Sequence, residues 1–313
     1  MPRFILRRVA AGVALLFVIS ALAYTLLYAN SDDIARRILG QNADPEVVAA
    51  KMAELGLDRP LWEQYLDWLA HAVTGDFGRS WFTGELVVDG VSSRFAVTLS
   101  IVLGATIVSG IVGVAFGIVA ATKGGWVDRV VQFFSVLGLA IPGFLVALGL
   151  VLVFAIGLGW FKATGYIPVT KSFTGWVSAV TLPIIALALG TIAVVSQQIR
   201  GSVLDALRRD YVRTLRSRGL SYRRVVNKHV LRNAAGPALA VLAVQFIGLL
   251  GGAVIVEQVF AIPGLGQLAV SSTSKAEIPM VMGLVIATAL IVVVVNLAID
   301  LVQAALNPKV RLS

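Results

Sequence analysis

The 313-residue sequence has no cysteine and only two histidines, His71 and His229. A disulfide framework, a thiolate metal site and a cysteine nucleophile are therefore excluded, and two histidines so far apart make no metal cluster. Charge is scarce as well: 14% of residues are Asp, Glu, Lys or Arg against 58% hydrophobic, a balance outside the range of soluble domains. No Gly-x-x-x-x-Gly-Lys-Ser/Thr run occurs, so ATP is not bound and hydrolysed here by that phosphate loop, and the serines sit in no nucleophile-elbow pattern. The formal charge of +9 comes without zinc spacing, helix-turn-helix pattern or aromatic-interleaved basic patch, which argues against nucleic acid as a partner.

Long apolar runs are what the sequence has in abundance. Blocks at 9–29, 95–122, 130–161, 177–199, 238–258 and 280–306 each reach the roughly 20 residues needed to cross a bilayer as helix. The fold expected is all-α and membrane-integral, with about six transmembrane helices. Connector charge alternates: Arg3, Arg7 and Arg8 precede the first block, Lys123 and Arg129 follow the second, a dense basic loop occupies 200–233, and Lys309 and Arg311 close the chain. Since short cytoplasmic connectors retain cations, both termini and loop 200–233 are expected in the cytoplasm, with 30–94, 162–176 and 259–279 outside. A cleaved signal peptide competes for block 9–29, because Ala21-Leu22-Ala23 resembles a peptidase site. The run continues past it, however, and exceeds the usual apolar core of such signals.

Three regions follow: 1–29, the cytoplasmic N-terminus and first span; 30–94, an extracytoplasmic segment; and 95–313, five spans with loop 200–233 between the fourth and fifth. Segment 30–94 is too long for a bare connector. Asp44-Pro45 opens a helix that Gly56 stops, and Arg59-Pro60 opens another. Leu61, Tyr65, Leu66, Trp68 and Leu69 share a face of that second helix, which fits a membrane surface or a neighbouring helix.

Within the spans, Glu257 and Asp300 fall near helix ends, so no mid-membrane proton relay is present. Gln245 and Asn296 read as interhelical hydrogen-bond partners rather than ion ligands. Pro142-Gly143 and Pro183 interrupt the helical ladder and are expected to kink their helices. Kinked helices can line a pathway, although proline is in any case commoner in membrane helices than in soluble ones.

Loop 200–233 carries the densest pattern. Leu204, Leu207, Tyr211 and Leu215 are spaced as one amphipathic helix, Gly219 stands where that helix stops, and Ser221 can cap a second helix with Val225, Val226, His229 and Val230 on its apolar face. Gly236-Pro237 is expected to end the second helix. A helix-glycine-helix hairpin with an apolar stripe and a cationic rim suits docking to a cytoplasmic partner. A solvated positive loop and a segment lying on anionic lipid are the competing readings.

The residue order supplies more. Asp210-Tyr211-Val212-Arg213-Thr214-Leu215-Arg216-Ser217-Arg218-Gly219-Leu220-Ser221, with His229-Val230-Leu231-Arg232-Asn233-Ala234 and Pro237, resembles the cytoplasmic signature loop of ABC-importer permeases of the dipeptide/oligopeptide type. Leu55-Gly56-Leu57-Asp58-Arg59-Pro60-Leu61-Trp62-Glu63-Gln64-Tyr65, Gly75-Asp76-Phe77-Gly78-Arg79-Ser80, Phe260-Ala261-Ile262-Pro263-Gly264-Leu265-Gly266 and Asn307-Pro308-Lys309-Val310-Arg311 are similar to further segments of the same permeases.

The resemblance implies the permease fold and a coupling role for Asp210, Tyr211, Arg213, Thr214, Leu215, Gly219 and Leu220, which would seat in a groove of an ATP-binding subunit. Leu215 departs from the small residue usual at its position. Pro60, Trp62, Tyr65 and Trp68 become candidates for contact with an extracytoplasmic substrate-binding protein, and Pro142, Gly143 and Pro183 for pathway kinks. The implied partners are a homologous second permease, ATP-binding subunits that are separate or fused, the binding protein and the bilayer of a bacterial cell membrane. This chain would bind no cofactor, with ATP and Mg held by the partners. Di- and oligopeptides lead as substrates, while haem, nickel or metal chelates and some sugars are served by the same family. An ATP-independent carrier or channel, the rival class, would show buried ionisable residues or an evident half-to-half repeat, and neither is visible.

Overall fold

The computed structural model describes residues 2–28, 31–40 and 42–306, so the C-terminal motif 307–311 lies outside the described residues. The chain is nearly all helix: α1 (Pro2–Tyr28), α2 (Ser31–Leu39), α3 (Pro45–Glu54), α4 (Leu61–Val73), α5 (Val87–Lys123), α6 (Gly125–Ala140), α7 (Gly143–Leu150), α8 (Phe173–Leu207), α9 (Asp210–Ser217), α10 (Tyr222–Val225), α11 (Leu231–Val259), α12 (Leu265–Ser274) and α13 (Ile278–Leu306). Among the described residues, 5 helices, α1, α5, α8, α11 and α13, are long and apolar enough to cross a membrane.

The block at 130–161, which counted as one span brings the total to 6, is a bent pair: α6 and α7, with the turns that follow to Gly157, meet at 96°. The cause lies in Ile141-Pro142. Proline disfavours the helical region for the residue before it, and Ile141 sits extended at φ −86, ψ 121. Pro142 then takes the N-cap position of α7, where a missing N–H costs nothing. Beyond α7 the turns widen into a π-helical stretch, Val151–Gly157.

Pro183 behaves differently, because α8 runs through it uninterrupted from Phe173 to Leu207. Two expectations are corrected in the same region. With 35 residues α8 is about 53 Å long, well beyond the ~30 Å apolar core of a bilayer, and it carries Leu204 and Leu207 with it. The apolar stripe read as one amphipathic helix is thus divided by a break at Arg208-Arg209 before α9. Gly236-Pro237 ends no helix either: Pro237 lies inside the 29-residue α11. α10 joins α11 through the wide turns of Val226–Val230, and Pro237 removes only one rung of the ladder.

The described chain divides into two compact units, one formed by residues 97–262 and 294–306, the other by residues within 2–96 and 263–293. In the first, α8 is central, with α6, α7 and α11 packed against it. Lipid offers no hydrophobic drive between helices, so close packing has to supply the cohesion. Gly113 and Gly117 of α5 provide it: a Cβ at Gly117 would stand 2.6 Å from the Ser196 carbonyl oxygen and 2.7 Å from Ile199 Cβ. One buried cluster gathers Val97, Ile101, Ala147, Leu182, Val256, Phe260 and Ile262; another gathers Ala121, Val195, Ile199, Val203, Val212, Val225 and Val230.

In the second unit, Tyr24, Tyr28, Ile34, Leu57, Ile278 and Met282 form a buried cluster. The expected helix 45–55 is α3, with the Asp44 side chain accepting from Glu46 N at 3.1 Å. The expected second helix is α4, whose Tyr65 meets Tyr24 edge-on at 5.5 Å. Ser80 donates a short, buried hydrogen bond to the Glu277 carboxylate, tying the Gly-Asp-Phe-Gly-Arg-Ser turn to the start of α13.

Candidate functional site

The residues singled out in loop 200–233 form a closed hairpin. Asp210 opens α9 and its carbonyl accepts from Thr214 Oγ1 at 3.1 Å. Gly219 has φ +82, a left-handed conformation that L side chains adopt at a cost, and ends the helix. Two bonds define the ending: Leu220 N donates to Leu215 O at 3.2 Å and Gly219 N to Arg216 O at 2.9 Å. This is the Schellman pattern, which calls for an apolar contact between the residues at the Leu215 and Leu220 positions. Both pack against the cluster built on Val203, Val212 and Val225, so the large Leu215 has a place.

The apolar stripe is therefore not left over for a partner. Leu204, Leu207, Tyr211, Leu215 and Leu220 all lie against the hairpin's own supporting helices, with Tyr211 OH accepting from Asn233 Nδ2 at 3.1 Å. Val225, Val226 and Val230 are buried, as their spacing suggested, whereas Ser221 occupies its N-cap position without a side-chain cap bond. What faces outward is polar and cationic: Asp210, Arg213, Thr214, Arg216, Ser217 and Arg218 are exposed, and the Arg216 guanidinium lies 5.8 Å from the Tyr222 ring centroid.

Behind the hairpin, Arg200 of α8 is held by Asp128 of α6, with Nε 2.5 Å from one carboxylate oxygen and Nη2 2.6 Å from the other. With its amide turned to complement the guanidinium, Gln132 accepts from Nε at 2.9 Å and Nη1 at 3.1 Å. Sequence reasoning missed this clamp; its one visible signal was an acid in a basic connector. Missed as well was the bond from Thr98 Oγ1 to Glu257 Oε1 at 2.6 Å, which engages a carboxylate that is fully buried near the end of α11.

Where α6 breaks into α7, a cleft of about 550 Å³ opens against α8 and α11. Pro142, Gly143 and Gly138 line it with Thr191, Gln245 and Gly252, so Gln245 is one of few polar groups in a largely apolar wall. Pro183 does not line it and is buried within α8.

In the other unit, Pro60 precedes α4 as its N-cap, and the remaining expected contact residues fall on two faces of that helix. Tyr65 and Trp68 turn inward onto α1, with Tyr65 OH 2.9 Å from Ser20 Oγ, while Trp62 is 64% exposed.

Comparison with known proteins agrees along the whole chain. A family described as "Binding-protein-dependent transport system inner membrane component" matches residues 113–312, and its N-terminal companion, "Binding-prot-dependent transport system membrane comp, N-term", matches residues 1–102. A putative peptide transport system permease protein of Brucella abortus (strain 2308) is 35% identical over 312 residues, covering 99% of both chains. The glutathione transport system permease protein GsiC of Escherichia coli (strain K12) is likewise 35% identical over 312 residues, with 99% of both covered. Among solved structures, a chain of the inward-facing MetNI methionine ABC transporter matches with TM-score 0.50 and 19% identity, covering 71% of this chain and 96% of that one, a likeness of fold.

Proposed function

This chain belongs to the family of inner membrane components of binding-protein-dependent transport systems, and from that premise we propose that it is the permease subunit of an ATP-driven importer of short peptides. Its relatives named as peptide and glutathione permeases, similar from end to end, support the substrate class. As a multi-pass membrane subunit of this family the chain is not itself an enzyme.

The observation that carries the mechanism is the hairpin. A Schellman-capped elbow seated on buried valines presents Asp210, Arg213 and Thr214 outward, and a push on it would be delivered to α8 and α11, two of the helices that wall the cleft. ATP-binding subunits would press on that face, a homologous permease would complete the pathway, and closure of nucleotide would bias the helices between two arrangements. Both termini and the hairpin would lie in the cytoplasm and segment 30–94 outside, where exposed Trp62 would meet the binding protein. The haem, nickel and metal-chelate alternatives share every part of this mechanism and differ in cargo alone.

Gentle purification of the assembled transporter, with mass identification of its subunits, tests the reading. A second permease and ATP-binding chains should co-purify, and vesicles with the binding protein added should take up a labelled tripeptide only with ATP. Uptake by this polypeptide alone, driven by an ion gradient without nucleotide, would overturn it.

A further inference from the structure

The unit formed by residues 2–96 and 263–293 contains a cleft of about 290 Å³, far smaller than the one at the α6–α7 break. Aromatic walls from Tyr28, Trp68 and Trp81 meet a rim bearing Arg59, Arg79 and Asp76. Three features distinguish it from a packing gap. The indole Nε1 of Trp68 is buried and has no hydrogen-bond partner among the described residues, although buried indoles ordinarily find one. Rim charge is balanced: Arg59 is already paired with Asp67 at 3.1 Å, which leaves Arg79 and Asp76 as the charges of opposite sign still open to a ligand. Neither is spent, because Asp76 Oδ1 accepts from Gly78 N at 2.9 Å and Arg79 Nη1 donates to Gly84 O at 3.2 Å, while a carboxylate has a second oxygen and a guanidinium has further donors.

A cleft of this kind suits a small molecule with an ammonium at one end, a carboxylate at the other and modest apolar bulk between. Aromatic faces favour the ammonium and the apolar part, a guanidinium favours the carboxylate, and the volume lies at the low end for small-molecule sites. We propose that this cleft is a binding site for short zwitterionic peptides on the permease itself, with Arg79 addressing the carboxylate, Asp76 the ammonium and the Trp68 ring the apolar part. The proposal rests on the reading of the chain as a peptide importer, and it adds a station for the peptide outside the α6–α7 cleft.

The test uses the assembled transporter in nanodiscs of phosphatidylcholine and phosphatidylglycerol, without binding protein, and a tripeptide carrying a diazirine on its central side chain. Illumination should label residues 59–81, and excess trialanine should compete. N-acetylated and C-amidated forms of the probe should label roughly tenfold less, the loss of one charge-assisted contact. Arg79→Gln and Asp76→Asn should each reduce labelling similarly, the latter keeping the turn bond to Gly78. Labelling absent from 59–81, indifferent to the blocked termini or unchanged in both variants overturns the proposal. Abolition of labelling by added phosphatidylethanolamine overturns it too, since the zwitterion held would then be a lipid headgroup. Uptake of trialanine by the complete system, measured in parallel, separates the two readings. Uptake without labelling leaves the importer intact and removes the site; labelling without any uptake leaves the site intact and removes the importer.

Discussion

Arg200 and Asp128 are joined through both prongs of the guanidinium, at 2.5 and 2.6 Å, although 72 residues separate them in sequence. The side chains are 28% and 20% exposed, so water screens the pair less than it would a surface bridge. Asp128→Ala should therefore lower stability by about 1.5–3 kcal/mol, the range for hydrogen bonds to charged groups. Arg200→Lys should not substitute, because an ammonium cannot make the planar two-point contact. Thermal unfolding in detergent, run as a double-mutant cycle, measures the coupling directly. Additive effects of the two substitutions would show that the clamp stabilises nothing.

At Gly219 the constraint is purely conformational: φ is +82 and nothing lies within 4 Å of where a Cβ would stand. Gly219→Ala should cost about 1–2 kcal/mol through the left-handed backbone, and Gly219→Asn less. Gly219→Val should open the elbow and separate ATP turnover from uptake. Proteoliposomes assayed for both decide the matter, and wild-type uptake per ATP in the valine variant would remove the coupling role.

Gly117 presents the opposite case. Its φ is ordinary, but a Cβ there would collide with backbone and side chain of α8. Gly117→Ala should force α5 and α8 apart and cost about 1–3 kcal/mol of overpacking. Gly149→Ala serves as the control, since nothing lies within 4 Å at that position and alanine is the better helix former. Equal melting temperatures for the two variants would contradict the close approach.

These residues also show how far sequence reasoning reaches. Spans were legible because a bilayer demands long apolar runs, and the hairpin was legible because Gly219 marks a left-handed stop. The position of the α6–α7 break was legible in Pro142-Gly143, but its 96° angle was not, since packing against α8 sets the direction. Periodicity misled at Arg208-Arg209: the spacing of Leu204, Leu207, Tyr211 and Leu215 continues across the break because both helices seat on one surface. Pro237 misled because α11 continues through the single lost rung. The pairing of Arg200 with Asp128, or of Ser80 with Glu277, cannot be read locally, as each depends on elements brought together only by folding.

The two faces of α4 separate stability from partner contact. Tyr65 packs on Tyr24 and hydrogen-bonds Ser20, so Tyr65→Ala should cost about 2–4 kcal/mol, toward the low side for removal of a large aromatic. Trp62, 64% exposed on the same helix, touches little, and Trp62→Ala should change stability by less than about 0.5 kcal/mol. If α4 is where the binding protein lands, an exposed tryptophan is the kind of side chain that dominates such contacts. Half-maximal stimulation of uptake should then need roughly tenfold or more binding protein in Trp62→Ala, with the maximal rate unchanged. A titration curve that overlays the wild type would move the docking surface away from α4 while leaving the inward packing of Tyr65 as it stands.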